Sequence, residues 1–367
     1  MDTGNSVRSE YDRSIDFVRF VAFFLVFYTH FINRGGNSIP ANTDAWWNNP
    51  LIQLLAHFGG QGVPVFFFLT GFLLGRLLYK EYLETHRISI KSFFIRRMLR
   101  IWPLYFLFIA LCSFANLFAS TPTLNAQEIP YLFTFSYNWG QIFASLPGSM
   151  ASITWSISVE EQIYLLLPLL LLFIPTKRFG LVITLFLSVG IFTTVSADFG
   201  LPLNTARNTF AYLLPVGFGL LLATHEESLR MRMPRGKFLR LLAISLFILY
   251  PINFSYITSY SLLTFCLTPL WGFSVLILAD QYIDFSSLFG KISSRIGRIS
   301  YGCYLYHWAI WTVIVGRNIL SDRQRGISFW GVIVCFVITV IVSELSYRYL
   351  ETPFLRLRKR FQVVPSP

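Results

Sequence analysis

Apolar residues dominate this chain in long blocks, and polar residues collect in the gaps between them. Ten blocks can be drawn: Ser14–Phe31, Leu51–Leu78, Ile101–Ala119, Ile153–Ile174, Phe179–Ala197, Thr209–Thr224, Phe238–Ile257, Tyr260–Tyr282, Ile299–Val315 and Phe329–Leu350. Each is close to the ~20 residues that carry a helix across the hydrocarbon core of a bilayer. The pattern predicts an all-α, polytopic integral membrane helix bundle of about ten transmembrane helices. Its parts are a polar segment over 1–13, a ten-span membrane domain over 14–350 and a basic tail over 351–367. The gaps differ in character. Asn33–Asn49 is polar and contains Gly35, Gly36 and Pro40, Arg76–Arg100 is long and basic, and Ser120–Ser152 has neither Lys nor Arg and is broken by Pro122, Pro130 and Pro147. No soluble domain, low-complexity segment or clear internal repeat is visible, and neither is the half-to-half symmetry of many transporters.

Composition sharpens this picture. Of 367 residues, 54% are hydrophobic and 13% charged, and the mean hydropathy is +0.56. These values exclude a soluble globular enzyme. A net charge of +12 would suit a nucleic-acid binder, but its placement argues otherwise. With ten spans, the termini and the connections on their side hold 24 of the 30 Lys and Arg residues; Arg34, Arg207, Arg317, Arg323 and Arg325 lie on the other side, and Arg19 is inside the first span. Cytoplasmic loops carry the excess of Lys and Arg. Both termini are therefore expected in the cytoplasm, in the cell inner (plasma) membrane, with the basic surface facing anionic lipid or an anionic cytosolic ligand and no nucleic acid. Cys112, Cys266, Cys303 and Cys335 all lie in apolar runs with no CxxC or Cys/His spacing, so they are expected as packing residues and no metal site is expected. Ser14–Phe31 is too long for a signal h-region and no cleavage site follows it, so it is expected to remain as the first span.

Candidate chemistry begins in that first span. Arg19 and His30 are eleven residues apart, close to three helical turns, which puts both on one face about 16 Å apart. Ionisable groups inside a span are costly and usually face a cavity with a function. The alternative is an arginine that snorkels to the headgroups and an interfacial histidine. In Arg96-Arg97-Met98-Leu99-Arg100, Arg97 and Arg100 share a helix face. Two guanidinium forks suit phosphate oxygens, although an ordinary positive-inside cluster would look the same. Gly62–Phe72 sets Gly62, Pro64 and Gly71 within a span, which permits close helix packing or a broken helix lining a cavity. Glu160 and Tyr164 are four apart and share a face, with Glu161 rotated away; acids here would also complement a helix dipole. His307 lies among aromatics in Ser300–Trp308, the setting of a structural histidine as much as of a catalytic one.

Six pieces in order give the chain a family likeness: the Arg-x10-His of span one, GVPVFFFLTGF, RRMLRIWP, TWSISVEEQIYLLLP, GRISYGCYLYHW and the closing SYRYLETPF at Ser346–Phe354. Together they resemble the membrane-bound acyltransferase 3 family over nearly the whole chain. Pro64 departs from the pattern, since many members carry an acidic residue there. Some members append an extracytoplasmic esterase-like domain; none is expected here, because the chain ends soon after span ten. The resemblance implies transfer of an acyl group, commonly acetyl, from cytosolic acyl-CoA (acetyl-CoA) to a hydroxyl of a cell-surface carbohydrate or glycolipid acceptor. It maps the family's implicated histidine onto His30, its span-one arginine onto Arg19 and its Arg-x2-Arg onto Arg97 and Arg100, and it points to Glu160 as the first of the two glutamates. Tyr164, Trp155 and His307 are supporting candidates. Histidine chemistry agrees, because the side chain titrates near neutral pH and can accept a hydroxyl proton or relay an acyl group. No bound cofactor is expected, and the sequence is silent on oligomeric state. Two other classes compete. A ten-span transporter of a small anionic or sugar substrate would show acyl-independent flux. A polytopic glycosyltransferase would carry acidic residues in its early outer loops, where Asn33–Asn49 offers only Asp44 and Ser120–Ser152 only Glu128.

Overall fold

The computed structural model of the protein describes residues 3–36, 49–118, 123–174, 179–201, 206–226, 237–253, 261–316, 321–322, 326–327 and 329–363. The 37–48 gap with Asp44, and Arg230, Arg232 and Arg235 of the basic connections, lie outside them. The described residues are almost entirely helical; a two-residue antiparallel ribbon pairs Ser321–Asp322 (β1) with Gly326–Ile327 (β2). Among the described residues, seven helical stretches are long and apolar enough to cross a membrane.

Two compact units are present, one made of Met1–Phe66, Met233–Thr258 and Leu270–Leu345, the other of Phe67–Arg232, Ser259–Pro269 and Ser346–Pro367. The first is built around α1 (Thr3–Gly36), which runs without interruption from the polar amino-terminal segment through the first apolar block. The second apolar block is not one helix. It breaks at Gly60–Gln61 into α2 (Pro50–Gly59) and α3 (Gly62–Thr85). Both flanking glycines lie tight against α1: a Cβ at Gly59 would stand 1.9 Å from Thr29 Oγ1, and one at Gly62 2.3 Å from the Ala22 carbonyl. Backbone thus meets backbone where only glycine fits, and the Thr29 hydroxyl donates to the Ala56 carbonyl at 2.8 Å across the same contact. Pro64 falls in the first turn of α3, where its missing N–H is harmless. Further along the chain, α10 (Lys237–Asn253), α11 (Leu262–Tyr282) from Leu270 onward, α12 (Leu288–Arg298), α13 (Ser300–Gly316) and α14 (Phe329–Ser346) up to Leu345 complete the helices of this unit. The amphipathic α12 was not anticipated from the apolar blocks. Its Gly297 lies against α1, where a Cβ would stand 1.7 Å from the Asp16 carbonyl. Arg295 reaches α14 and donates Nε and Nη2 to the Glu344 carboxylate, both at 2.8 Å.

The second unit contains the remainder of α3, then α4 (Ile90–Ala115), α5 (Ile129–Phe133), α6 (Tyr137–Phe143), α7 (Trp155–Phe173), α8 (Phe179–Asp198), α9 (Thr209–Thr224) and the first turns of α11, up to Pro269. Helix α4 starts eleven residues before the expected third span, so the basic run Arg96–Arg100 is helical. The close packing again rests on glycine: a Cβ at Gly71 would stand 2.1 Å from the Val216 carbonyl, and one at Gly219 2.2 Å from the Phe68 carbonyl. The tenth apolar block runs into a π-helical segment, Tyr347–Glu351, followed by α15 (Thr352–Arg358), which packs along α4. In the Ser120–Ser152 gap the lone acid Glu128 is fully buried. It accepts from Tyr137, Ser149 and both nitrogens of Asn125, so it serves as a strut of that connection. Burial, helped by the Glu128 carboxylate, raises the Tyr137 phenol above its ordinary range.

Candidate active site

In the first unit α1 presents His30, and α13 presents His307. His307 is wholly buried. A helical side chain leans back over the preceding turn, and its Nδ1 lies 2.6 Å from the Tyr304 carbonyl and 3.2 Å from that of Cys303. Carbonyls only accept, so Nδ1 carries the proton, and in the neutral ring Nε2 holds a lone pair. That Nε2 is 2.8 Å from His30 Nδ1. The two rings are coplanar to within 4° with centroids 5.1 Å apart, a separation that sets them edge to edge rather than face to face. His30 Nδ1 must therefore be the donor, and the basic nitrogen of neutral His30 is Nε2. The Trp308 ring meets His30 edge-on at 5.2 Å, and Phe23 and Phe27 pack against His307. This arrangement selects one tautomer and one ring plane, as a proton-transferring imidazole requires.

Arg19, three turns earlier on α1, donates Nη1 to the Asp16 carboxylate at 2.6 Å. Asp16 also faces Arg298 of α12, whose Nε is 3.5 Å away. One carboxylate thus lies between two guanidiniums. The i, i+3 spacing of Asp16 and Arg19 was readable in the sequence, but the expected role of Arg19 left Asp16 out. Arg298, distant in sequence, gave no signal.

The second unit gathers another set. Glu160 of α7 accepts from the Thr70 hydroxyl of α3 at 3.1 Å and from the Tyr164 hydroxyl one turn on. Arg97 of α4 lays its guanidinium over the Tyr164 ring, 4.8 Å from the centroid, with Phe93 at 5.6 Å, a cation–π arrangement. Its Nη1 is 3.5 Å from the Tyr164 oxygen. Glu161 faces elsewhere and accepts from Trp102 Nε1 at 3.2 Å. Arg100, one turn beyond Arg97, is half-buried. Trp155 packs on Tyr212, centroids 5.7 Å apart, and joins neither set. Thr70 is the member that sequence reasoning missed; a threonine in an apolar span carries no sign of its partner. Among the described residues, no three His, Cys, Asp or Glu side chains gather as a metal site would require.

The structure therefore brings His30 to His307, and Arg97 to Tyr164 and Glu160. Comparison with known proteins agrees with the sequence likeness. The sequence model of the acyltransferase domain of the acyltransferase 3 family matches residues 12–348. O-acetyltransferase OatA of Staphylococcus aureus, strain NCTC 8325 / PS 47, is 27% identical over 340 residues, covering 84% of this chain and 55% of that protein. The strain COL protein of the same name aligns equally. SACOL0978 of strain COL is 26% identical over 329 residues, covering 81% of this chain and 52% of its own length. The chain spans about half the length of the curated relatives it matches. No solved structure matches it. A match that runs over residues 12–348, most of the chain, assigns this protein to the acyltransferase 3 family.

Proposed function

We propose that this chain is an integral-membrane O-acyltransferase that moves an acyl group, acetyl in the first instance, from cytosolic acyl-CoA to a hydroxyl of a cell-surface carbohydrate or lipid-linked sugar. The observation that carries the reading is the His30–His307 pair. With His307 holding Nδ1–H, His30 Nε2 accepts the proton of the acceptor hydroxyl. The hydroxyl oxygen then bonds to the thioester carbonyl carbon, the C–S bond breaks, and the departing thiolate takes the proton back from His30. The same Nε2 is the nitrogen that a covalent acyl-histidine would use; trapping with labelled donor separates the two routes.

Arg97 and Arg100 are assigned to the donor phosphates, which suit paired guanidinium forks. Tyr164 and Glu160 orient Arg97 through the ring contact and the hydrogen bonds described above. Arg19, held by Asp16, is a further donor-side residue. The names of the relatives support O-acetyl transfer. Ten spans with both termini cytoplasmic remain part of the proposal. Each expected span coincides with helix among the described residues, but three of these helices, Thr209–Thr224, Lys237–Asn253 and Ser300–Gly316, are only 16 to 17 residues long. Mass spectrometry of surface glycans from cells with and without the chain tests the reading. A loss of one acyl mass on one sugar is expected, and unchanged glycans would reject the acceptor class.

A further inference from the structure

The carboxy-terminal helix brings an additional arginine to α4. Arg96 is buried; its Nη2 pairs with Glu81 at 3.2 Å and its Nη1 donates to the Phe361 carbonyl at 2.8 Å. That contact holds the tail along α4, directly after the π-helical segment Tyr347–Glu351. Short π-helical segments within α-helices recur at functional sites. On the docked segment the basic residues divide by exposure: Arg356, Lys359 and Arg360 are exposed, whereas Arg358 is half-buried. Arg358 lies three residues before Phe361, the residue that Arg96 of α4 grips, and the guanidiniums of Arg100, Arg97 and Arg96 repel its charge. Among the described residues neither Arg100 nor Arg358 makes a hydrogen bond or ion pair. Glu81 pairs with Arg96, Glu160 bears on Arg97 and Glu351 bears on Arg100, so the acids of the neighbourhood are matched to the arginines of α4 and leave Arg358 without one.

Half-buried like charges held together by the fold are unfavourable unless an anion joins them. We propose that Arg358 completes, with Arg97 and Arg100, a binding site for a diphosphate-bearing ligand, the phosphate groups of the acyl-CoA donor. The inference rests on the donor reading above and extends it to a residue outside the family motifs. Three guanidinium forks supply enough donors to grip a diphosphate from two helices, which one Arg-x2-Arg pair cannot do alone.

The test uses the full chain in nanodiscs of phosphatidylcholine, a zwitterionic lipid, with CoA and inorganic pyrophosphate as probes in separate titrations. Arg358→Gln should weaken CoA binding ten- to a hundredfold, Arg358→Lys by less, and Arg356→Gln not at all. Thermal stability without ligand gives the second readout. Removing a repelled charge should leave the melting temperature of Arg358→Gln unchanged or raised. A marked fall would make Arg358 a strut of the tail and overturn the inference. Equal CoA affinity in Arg358→Gln and the unaltered chain overturns it too, with the donor role of Arg97 and Arg100 untouched. Pyrophosphate binding that needs Arg358, without any CoA binding, sustains the phosphate site and rejects acyl-CoA as its ligand. Addition of phosphatidylglycerol that displaces pyrophosphate but not CoA would assign the cluster to lipid headgroups and overturn the donor assignment of Arg358.

Discussion

His307 Nε2 stands 2.8 Å from His30 Nδ1, in the plane of both rings, while the opposite nitrogen of His307 is held by backbone carbonyls. His307 therefore acts on His30 as an acceptor that sets its tautomer. His307→Ala should lower kcat by about 10- to 100-fold, part of the ~10²–10⁴ that general-base catalysis supplies, with KM for donor little changed. His307→Gln, whose amide oxygen can accept from Nδ1–H, should recover part of the loss. A KM effect without a kcat effect would contradict the positioning role.

Arg97→Ala and Arg100→Ala should shift the donor saturation curve with little loss of folded protein. A charge-assisted hydrogen bond contributes roughly 1.5–3 kcal/mol, or one to two decades in apparent affinity. Donor curves superimposable on that of the unaltered chain would return both residues to the positive-inside cluster.

Glu160→Gln should impair turnover far more than Glu161→Gln. Glu160 receives the Tyr164 hydroxyl beneath Arg97, whereas Glu161 serves Trp102. Steady-state kinetics of the two variants, with equal expression verified, decide the matter; equal losses would contradict the separation of their environments.

Gly71→Ala tests the packing of α3 on α9. Its Cβ would fall 2.1 Å from the Val216 carbonyl, so backbone must move. Overpacking costs typically ~1–3 kcal/mol, enough to reduce the yield of monodisperse protein in detergent. Gly180→Ala, with nothing within 4 Å of the added Cβ, is the control and should behave as the unaltered chain.

Much of this was legible in the residues, for identifiable reasons. Long apolar runs dictate helices, so the blocks Thr209–Thr224 and Phe179–Ala197 match helices almost end to end. The Glu160–Tyr164 face followed from i, i+4 geometry alone. Gly62 and Pro64 left close packing and a broken helix open as readings of the second block; the break falls at Gly60–Gln61, and Gly59 and Gly62 pack tightly on α1. Helix α12 was missed because its apolar and basic residues mix within eleven positions, too short a run to register as a span. The pairing of His30 with His307 joins residues 277 apart. Nothing local marks it, since a buried histidine among aromatics reads the same whether it holds backbone carbonyls alone or a second imidazole as well.

The central claim, that His30 carries the proton or the acyl group, is tested most directly by the turnover of purified His30→Ala with acyl-CoA and acceptor, at a melting temperature equal to that of the unaltered chain. Transfer should fall by at least ~10²–10⁴, the general-base contribution, while donor binding persists. Near-normal turnover in that variant would contradict the account and leave His307 as the next candidate.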